Sequence, residues 1–277
     1  MSTLNWIRRV NGTVGRLAPQ TIANQMRRAF MTPRDLPPRA WELPLLAQAE
    51  RITLRFGLSA LRWGHGPAVL MMHGWEGRPT QFASLIDALV GAGYSVIALD
   101  GPAHGRSPGR EAHVVLFARA MLEAAAELPP LHAVVGHSMG GASAMLAIQL
   151  GLRTNALVSI AAPSRLLDVL RGFASVVGMP ERARAAFIQE VEYALGIPLK
   201  HLDVAHYQMN IPGLIVHAED DTFVPVKASQ MIHEAWFDSR LLRLEQGGHQ
   251  KVLADPRVVE GVLALLAGCR EPARQTA

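Results

Sequence analysis

One cysteine, Cys269, stands among the 277 residues, so no internal disulfide can hold this chain together and a small disulfide-framed scaffold is excluded. Long apolar runs are missing too. No stretch approaches eighteen uninterrupted apolar residues, which leaves no expected membrane-spanning helix. The chain reaches Arg8 and Arg9 before any apolar run long enough for a secretory signal. A cytoplasmic location is the expectation. Among 11 histidines there is no His-Glu-x-x-His spacing, and a lone cysteine cannot make Cys-x-x-Cys, so neither a zinc site nor any other cofactor is expected. The glycine turns Gly64-His65-Gly66 and Gly105 to Gly109 do not have the pattern of a phosphate-binding loop. Internal repeats and low-complexity tracts are absent.

Acidic residues are scarce at one end. Residues 1–40 hold seven arginines, at positions 8, 9, 16, 27, 28, 34 and 39, against Asp35 alone. That segment carries +6 of a formal net charge of +4, so the rest of the chain is near −2. Trp6, Ile7, Val10, Val14 and Leu17 recur at helical spacing, as do Ile22, Met26 and Phe30 after Pro19. Residues 1–50 are expected to form a basic helical extension packed on the main domain, its arginines solvated. Peripheral contact with an anionic membrane is the less favoured reading, because Gly12 and Gly15 weaken the first helix. Nucleic-acid binding is not expected, since no binding module is present.

At 49% hydrophobic and 18% charged, with mean hydropathy +0.16, a chain of this length buries about three quarters of its unfolded surface, which excludes a mainly disordered protein. One large domain with an insertion is expected. The pattern changes at residue 51. Arg51–Phe56 and Leu58–Trp63 suggest a strand pair, and Ala68–Met72 is the continuous apolar run of a buried parallel strand. Further strands are expected at Ser95–Leu99, Ala133–Val135, Ala156–Ile160, Leu214–Val216 and Leu241–Leu244. Helices are expected at Gln81–Val90, Ala112–Leu128, Gly140–Leu150, Lys227–Phe237 and Pro256–Leu266. Such alternation implies an α/β fold, a mostly parallel twisted sheet with helices on both faces.

In such sheets, ligands bind beyond the carboxyl ends of the strands. After Val135 comes Gly136-His137-Ser138-Met139-Gly140-Gly141, a G-x-S-x-G between strand and helix. The bare pattern arises by chance in about one chain in ten of this composition, so its strand–turn–helix context carries the weight. A serine hydroxyl needs a positioned base, and the base needs an acid to hold its tautomer. Downstream, Glu219-Asp220-Asp221 follows one strand and Gly247-Gly248-His249 follows the last.

With His73-Gly74-Trp75 after the third strand, Asp100 to Ser107 after the fourth, and Asp221 to Pro225, the chain from about 51 to 268 resembles an α/β-hydrolase of the serine esterase and lipase type. The resemblance implies Ser138 as nucleophile, Asp221 as acid and His249 as general base. It also implies the backbone N–H groups of Trp75 and Met139 as an oxyanion hole. Ala218 and Ala103 stand where glycines are commoner in the family. The serine at 138 argues against the branches that use an aspartate nucleophile.

The core is expected at 51–162 and 211–277, with a helical lid at 163–210. Ser164 would cap one lid helix ended by Gly178, and Pro180 would start another ended by Gly196. Lid apolar residues, with Trp75, Met139 and Phe223, suggest a mostly apolar site for a small or medium carboxylic ester. Trp75 and Phe223 are the candidate substrate-binding residues. Thioester, amide or carbon–carbon cleavage on the same three residues stays open, as does a non-catalytic ligand-binding role. His73, His104, Asp100 and His137 are expected to be structural. Glu76 and Arg78 are expected to pair and brace their loop.

Overall fold

A computed structural model of the chain describes residues 2–269. In chain order its helices and strands are α1 (Thr3–Leu17), α2 (Pro19–Met31), α3 (Leu43–Gln48), β1 (Glu50–Thr53), β2 (Ser59–Trp63), β3 (Ala68–Met72), α4 (Ala83–Gly91), β4 (Ser95–Leu99), α5 (Val114–Ala125), β5 (Leu131–His137), α6 (Met139–Gln149), β6 (Leu157–Ile160), α7 (Leu166–Val176), α8 (Glu181–Leu195), β7 (Gly213–Ala218), α9 (Lys227–Ala235), β8 (Ser239–Leu244), α10 (Gly248–Lys251) and α11 (Pro256–Gly268). They form two compact units. One joins the chain up to Pro33 to Arg165–Asp203; the other holds Arg34–Ser164 and the chain from Val204.

The larger unit is built on an eight-stranded sheet of order β1-β2-β4-β3-β5-β6-β7-β8. The β1–β2 and β2–β4 pairs are antiparallel and all others parallel. Every residue of β3 to β7 is buried, as strands covered on both faces must be, and this is why their sequences are predominantly apolar rather than alternating. The expected doubly covered parallel sheet is therefore the observed one.

Two local departures have clear causes. The first strand was expected to reach Phe56, but β1 ends at Thr53 and Arg55–Gly57 form a tight turn in which Phe56 adopts φ 58°. The reversal into β2 needs that left-handed residue, and Gly57 follows it with φ 73°. Beyond the two stretches whose spacing is helical, helical turns also form at Ala40–Gln48. Tertiary partners hold them: Trp63 Nε1–H donates to the Leu45 carbonyl at 2.9 Å, and buried Glu42 accepts from Thr80 Oγ1 at 2.6 Å and from Arg78 at 3.3 Å.

In the smaller unit α1 and α2 pack with α7 and α8. An aromatic cluster stands at its centre, with Phe30, Phe173 and Phe187 at ring separations of 5.1, 5.8 and 5.6 Å. The α2 residues Ile22, Ala23, Met26 and Met31 are buried with it. Helix α1 behaves differently from its sequence pattern, because its buried residues are Asn11 and Gly15. Asn11 Nδ2 donates to the Val177 carbonyl at 2.8 Å, and Gly15 lies so close to the Pro180 ring that a Cβ there would come within 2.9 Å of it. Ser164 does not cap α7. The N-cap position is Arg165, and the Ser164 hydroxyl lies 3.6 Å from Met231 Sδ. Helix α8 starts after Pro180 and closes on Gly196 at φ 68°, as expected from its flanking residues.

Asn11→Ala leaves the buried Val177 carbonyl without its donor and is expected to cost about 1–3 kcal/mol. Thr13→Ala, on the exposed side of α1, should change stability by less than about 0.5 kcal/mol. Urea unfolding followed by helical circular dichroism measures both.

Candidate active site

Ser138 sits between β5 and α6 with φ 54° and ψ −122°, a strained conformation for a non-glycine residue, costing about 1–3 kcal/mol. Its surroundings hold it there. The Ser138 N–H donates to the Ile160 carbonyl of β6 at 2.8 Å. A Cβ on Gly140 would fall on the carbonyl oxygens of Met72 and His73, and one on Gly136 would lie 2.5 Å from the Gly140 carbonyl oxygen. Strand, turn and helix therefore approach to distances that only glycine permits. The turn projects the Ser138 side chain beyond the carboxyl end of the sheet.

The two other residues expected beside it converge there. His249 Nε2 lies 2.9 Å from Ser138 Oγ, and His249 Nδ1 lies 2.7 Å from Asp221 Oδ2. The other Asp221 oxygen accepts the N–H groups of Phe223 and Val224 at 2.8 and 3.0 Å. Burial alone would raise the Asp221 pKa, but hydrogen bonds from His217, His249 and Val224 outweigh it and hold the carboxyl well below the usual range. An ionised Asp221 only accepts, so Nδ1 of a neutral His249 carries the proton and Nε2 faces the Ser138 hydroxyl as acceptor. The neighbouring carboxylates turn elsewhere. Asp220 accepts the Gly248 N–H at 2.7 Å, and Glu219 pairs with Arg243 at 3.0 Å.

The loop after β3 lies against the serine, since a Cβ on Gly74 would come within 2.8 Å of Ser138 Cβ. Two neutral histidines shape that loop. His73 Nδ1–H donates to the Gly74 carbonyl at 2.7 Å and Nε2 accepts the Gly101 N–H at 2.9 Å. His104 Nδ1–H donates to the Pro102 carbonyl at 2.9 Å while Nε2 accepts the Glu76 N–H at 3.0 Å. Burial, reinforced by neighbouring His104, pushes His73 down to about 3, and burial likewise lowers His104. Glu76 and Arg78 do not pair with each other. The positive φ of 53° at Glu76 sends its carboxylate to Arg34, at 2.8 Å, and Arg78 reaches Glu42 and the Pro37 carbonyl. Met139 opens α6, so its N–H has no carbonyl one turn earlier to bond.

Three residues join the site that sequence reasoning left out or assigned only to local packing. His137 Nε2–H donates to the main-chain carbonyl of His249 at 2.7 Å, and Gln81 donates to His137 Nδ1 at 3.1 Å. The residue before Ser138 thus ties down the loop that carries His249. Burial, then the nearby His249, lowers His137 to about 4. Fully buried His217 donates from Nε2 to the Val224 carbonyl at 2.8 Å and lies 3.4 Å from Asp221 Oδ2. Nothing in the local sequence marks Gln81. The histidines adjoin the motifs, but their partners are far away in the chain.

Phe223 is largely exposed, with its ring 5.4 Å from that of His249. It lines a hollow of about 530 Å³ with His249, Asp220, Thr222, Gln246 and Lys251. Trp75 is half-buried, its ring edge-on to His104 at 6.0 Å.

Residues 67–192 match the family model for the alpha/beta hydrolase fold. The chain is 32% identical over 149 residues to the dihydrolipoyllysine-residue acetyltransferase component of the acetoin cleaving system of Cupriavidus necator, across 52% of this chain and 34% of that one. It therefore spans about a third of that relative's length. It is 25% identical over 245 residues to a pimeloyl-[acyl-carrier protein] methyl ester esterase of Aeromonas hydrophila, across 72% of this chain and 95% of the other. Among solved structures, an esterase from Exiguobacterium antarcticum superposes with TM-score 0.60 at 18% identity, over 79% of this chain and 99% of that one, a likeness of fold. The chain has the alpha/beta hydrolase fold.

His73 and His137 resist protonation in the folded protein, whereas the unfolded chain takes up those protons near pH 6.5. Acid therefore favours unfolding. Stability is at full strength above about pH 6.5 and falls as pH drops toward about 4 for His137 and about 3 for His73. The expected slope is up to about 1.4 kcal/mol per pH unit for each histidine. Urea midpoints measured from pH 7.5 to 4.5 check it, and His137→Gln should flatten the upper part of the decline.

Proposed function

We propose that the chain is a serine hydrolase that cleaves carboxylic esters through an acyl-enzyme on Ser138. The observation that carries this reading is the line of hydrogen bonds from Ser138 Oγ through His249 to Asp221, at 2.9 and 2.7 Å, anchored on a serine held at positive φ.

In this mechanism His249 Nε2 takes the Ser138 proton as Oγ attacks the ester carbonyl, and Asp221 stabilises the imidazolium that forms. The carbonyl oxygen becomes an oxyanion, for which the Met139 and Trp75 N–H groups are the proposed donors. Both belong to backbone held by the Ser138 turn and the His73–His104 pair, so they need no rearrangement when charge develops. His249 then gives its proton to the leaving alcohol, and water repeats the sequence to release the acid. The substrate is proposed to be a small or medium ester with an apolar group, against Phe223 and Trp75. The Aeromonas relative, whose name describes a methyl ester esterase and nearly all of whose length is matched, supports ester chemistry.

A fluorophosphonate probe should label the chain at Ser138, with no labelling of Ser138→Ala. On a short acyl ester, Ser138→Ala should keep the fold and lose about 10⁴–10⁶ in turnover. A variant retaining a tenth of the activity rules the mechanism out.

The acid can be tested separately. Asp221→Asn should cost up to about 10⁴ in turnover by favouring the wrong His249 tautomer, while Glu219→Gln and Asp220→Asn should each cost about tenfold or less. A larger loss in Asp220→Asn than in Asp221→Asn would reassign the acid.

A further inference from the structure

The apolar stripe of α1 is the part of the chain whose pattern the fold leaves unused. Trp6, Val10 and Leu17 follow one another at i, i+4 and i+11, one face of a helix, with the small polar Thr13 at i+7 between the last two. A stripe of this kind ordinarily marks the buried side. Here the buried side is the Asn11 and Gly15 face, while Trp6 is 60% and Leu17 84% exposed. Val10 is half-buried and Val14 exposed beside them. Arg9 and Arg16 are exposed on the adjoining row, seven residues apart. From residue 3 to residue 31 the chain carries five arginines and no aspartate or glutamate.

We propose that this face of α1 docks on an anionic lipid surface, the helix lying flat with Leu17 among the acyl chains, Trp6 at their boundary with the headgroups, and Arg9 and Arg16 at the phosphates. The charge is complementary to such a surface, where each arginine adds about fivefold to binding. An indole prefers the boundary between apolar and polar layers, because its ring is apolar and its N–H needs a partner. The shape fits as well. A single helix of 15 residues presents a strip about 22 Å long, narrow for a stable protein interface of about 800 Å² per partner. A planar boundary takes up such a strip along its whole length. The tight seat of Asn11 and Gly15 on the loop between α7 and α8 keeps the stripe turned outward. The glycines that weaken α1 as a free helix matter less when that packing already holds it helical.

The test is co-sedimentation of the full chain with extruded vesicles of phosphatidylcholine, alone and mixed with phosphatidylglycerol. At low salt, binding to the mixed vesicles is expected to be at least about tenfold tighter than to phosphatidylcholine alone, and to be released by high salt. Trp6→Ser/Leu17→Ser should weaken binding to the mixed vesicles about tenfold or more. Arg9→Glu/Arg16→Glu should abolish the preference for anionic lipid. All four positions are exposed, so circular dichroism should be unchanged. Failure of the full chain to sediment with mixed vesicles at low salt overturns the proposal, as does equal binding by Trp6→Ser/Leu17→Ser. A concentration-dependent dimer in sedimentation velocity, lost in that variant, would assign the stripe to a second copy and also overturn it.

Discussion

The serine turn at the end of β5 is the constraint on which the rest of the site depends. Ser138 has to adopt a conformation that side-chain-bearing residues avoid, and nothing local compensates for it. The compensation comes from the two strands flanking β5: the β6 carbonyl at Ile160 takes the Ser138 N–H, and the carbonyls of Met72, at the end of β3, and of His73 after it crowd Gly140. Position and strain have one origin. The packing that forces the turn also sets Ser138 against Gly74 and places the Met139 N–H at a helix start.

Histidine shows how one side chain serves opposite purposes in different surroundings. His73 and His104 each donate through Nδ1 and accept a backbone N–H at Nε2, so they staple two loops only while neutral. His137 donates through Nε2 and accepts from Gln81, and in doing so holds the His249 main chain. His249 is the one set between an ionised carboxylate and a hydroxyl, with part of its ring open to solvent. Burial keeps the first three out of the charged state.

In the smaller unit, close approach overrides amphipathic pattern. Helix α2 buries its Ile22 and Met26 face as its periodicity implies. Helix α1 instead seats Gly15 against Pro180 and satisfies a loop carbonyl through Asn11. Small and polar residues can govern packing when backbone must come near backbone, and the larger apolar residues are then left on the outside. The basic, apolar character of that surface follows from the same choice.

Sequence alone determined the class of the fold and singled out Ser138, His249 and Asp221, which the fold brings within hydrogen-bond distance of one another. Buried parallel strands read as predominantly apolar runs, and strained turns demand glycines at fixed offsets around Ser138, so both constraints are written locally. It also distinguished Asp221 from its two acidic neighbours, through the resemblance of its loop to the family pattern. Pairing across the chain was not legible. Glu76 finds Arg34 rather than nearby Arg78, Gln81 reaches His137 56 residues away, and α3 is held by Trp63. Which face of α1 is buried was likewise decided only by tertiary structure, because periodicity records what a helix face could bury, while packing selects the face that lets two backbones approach.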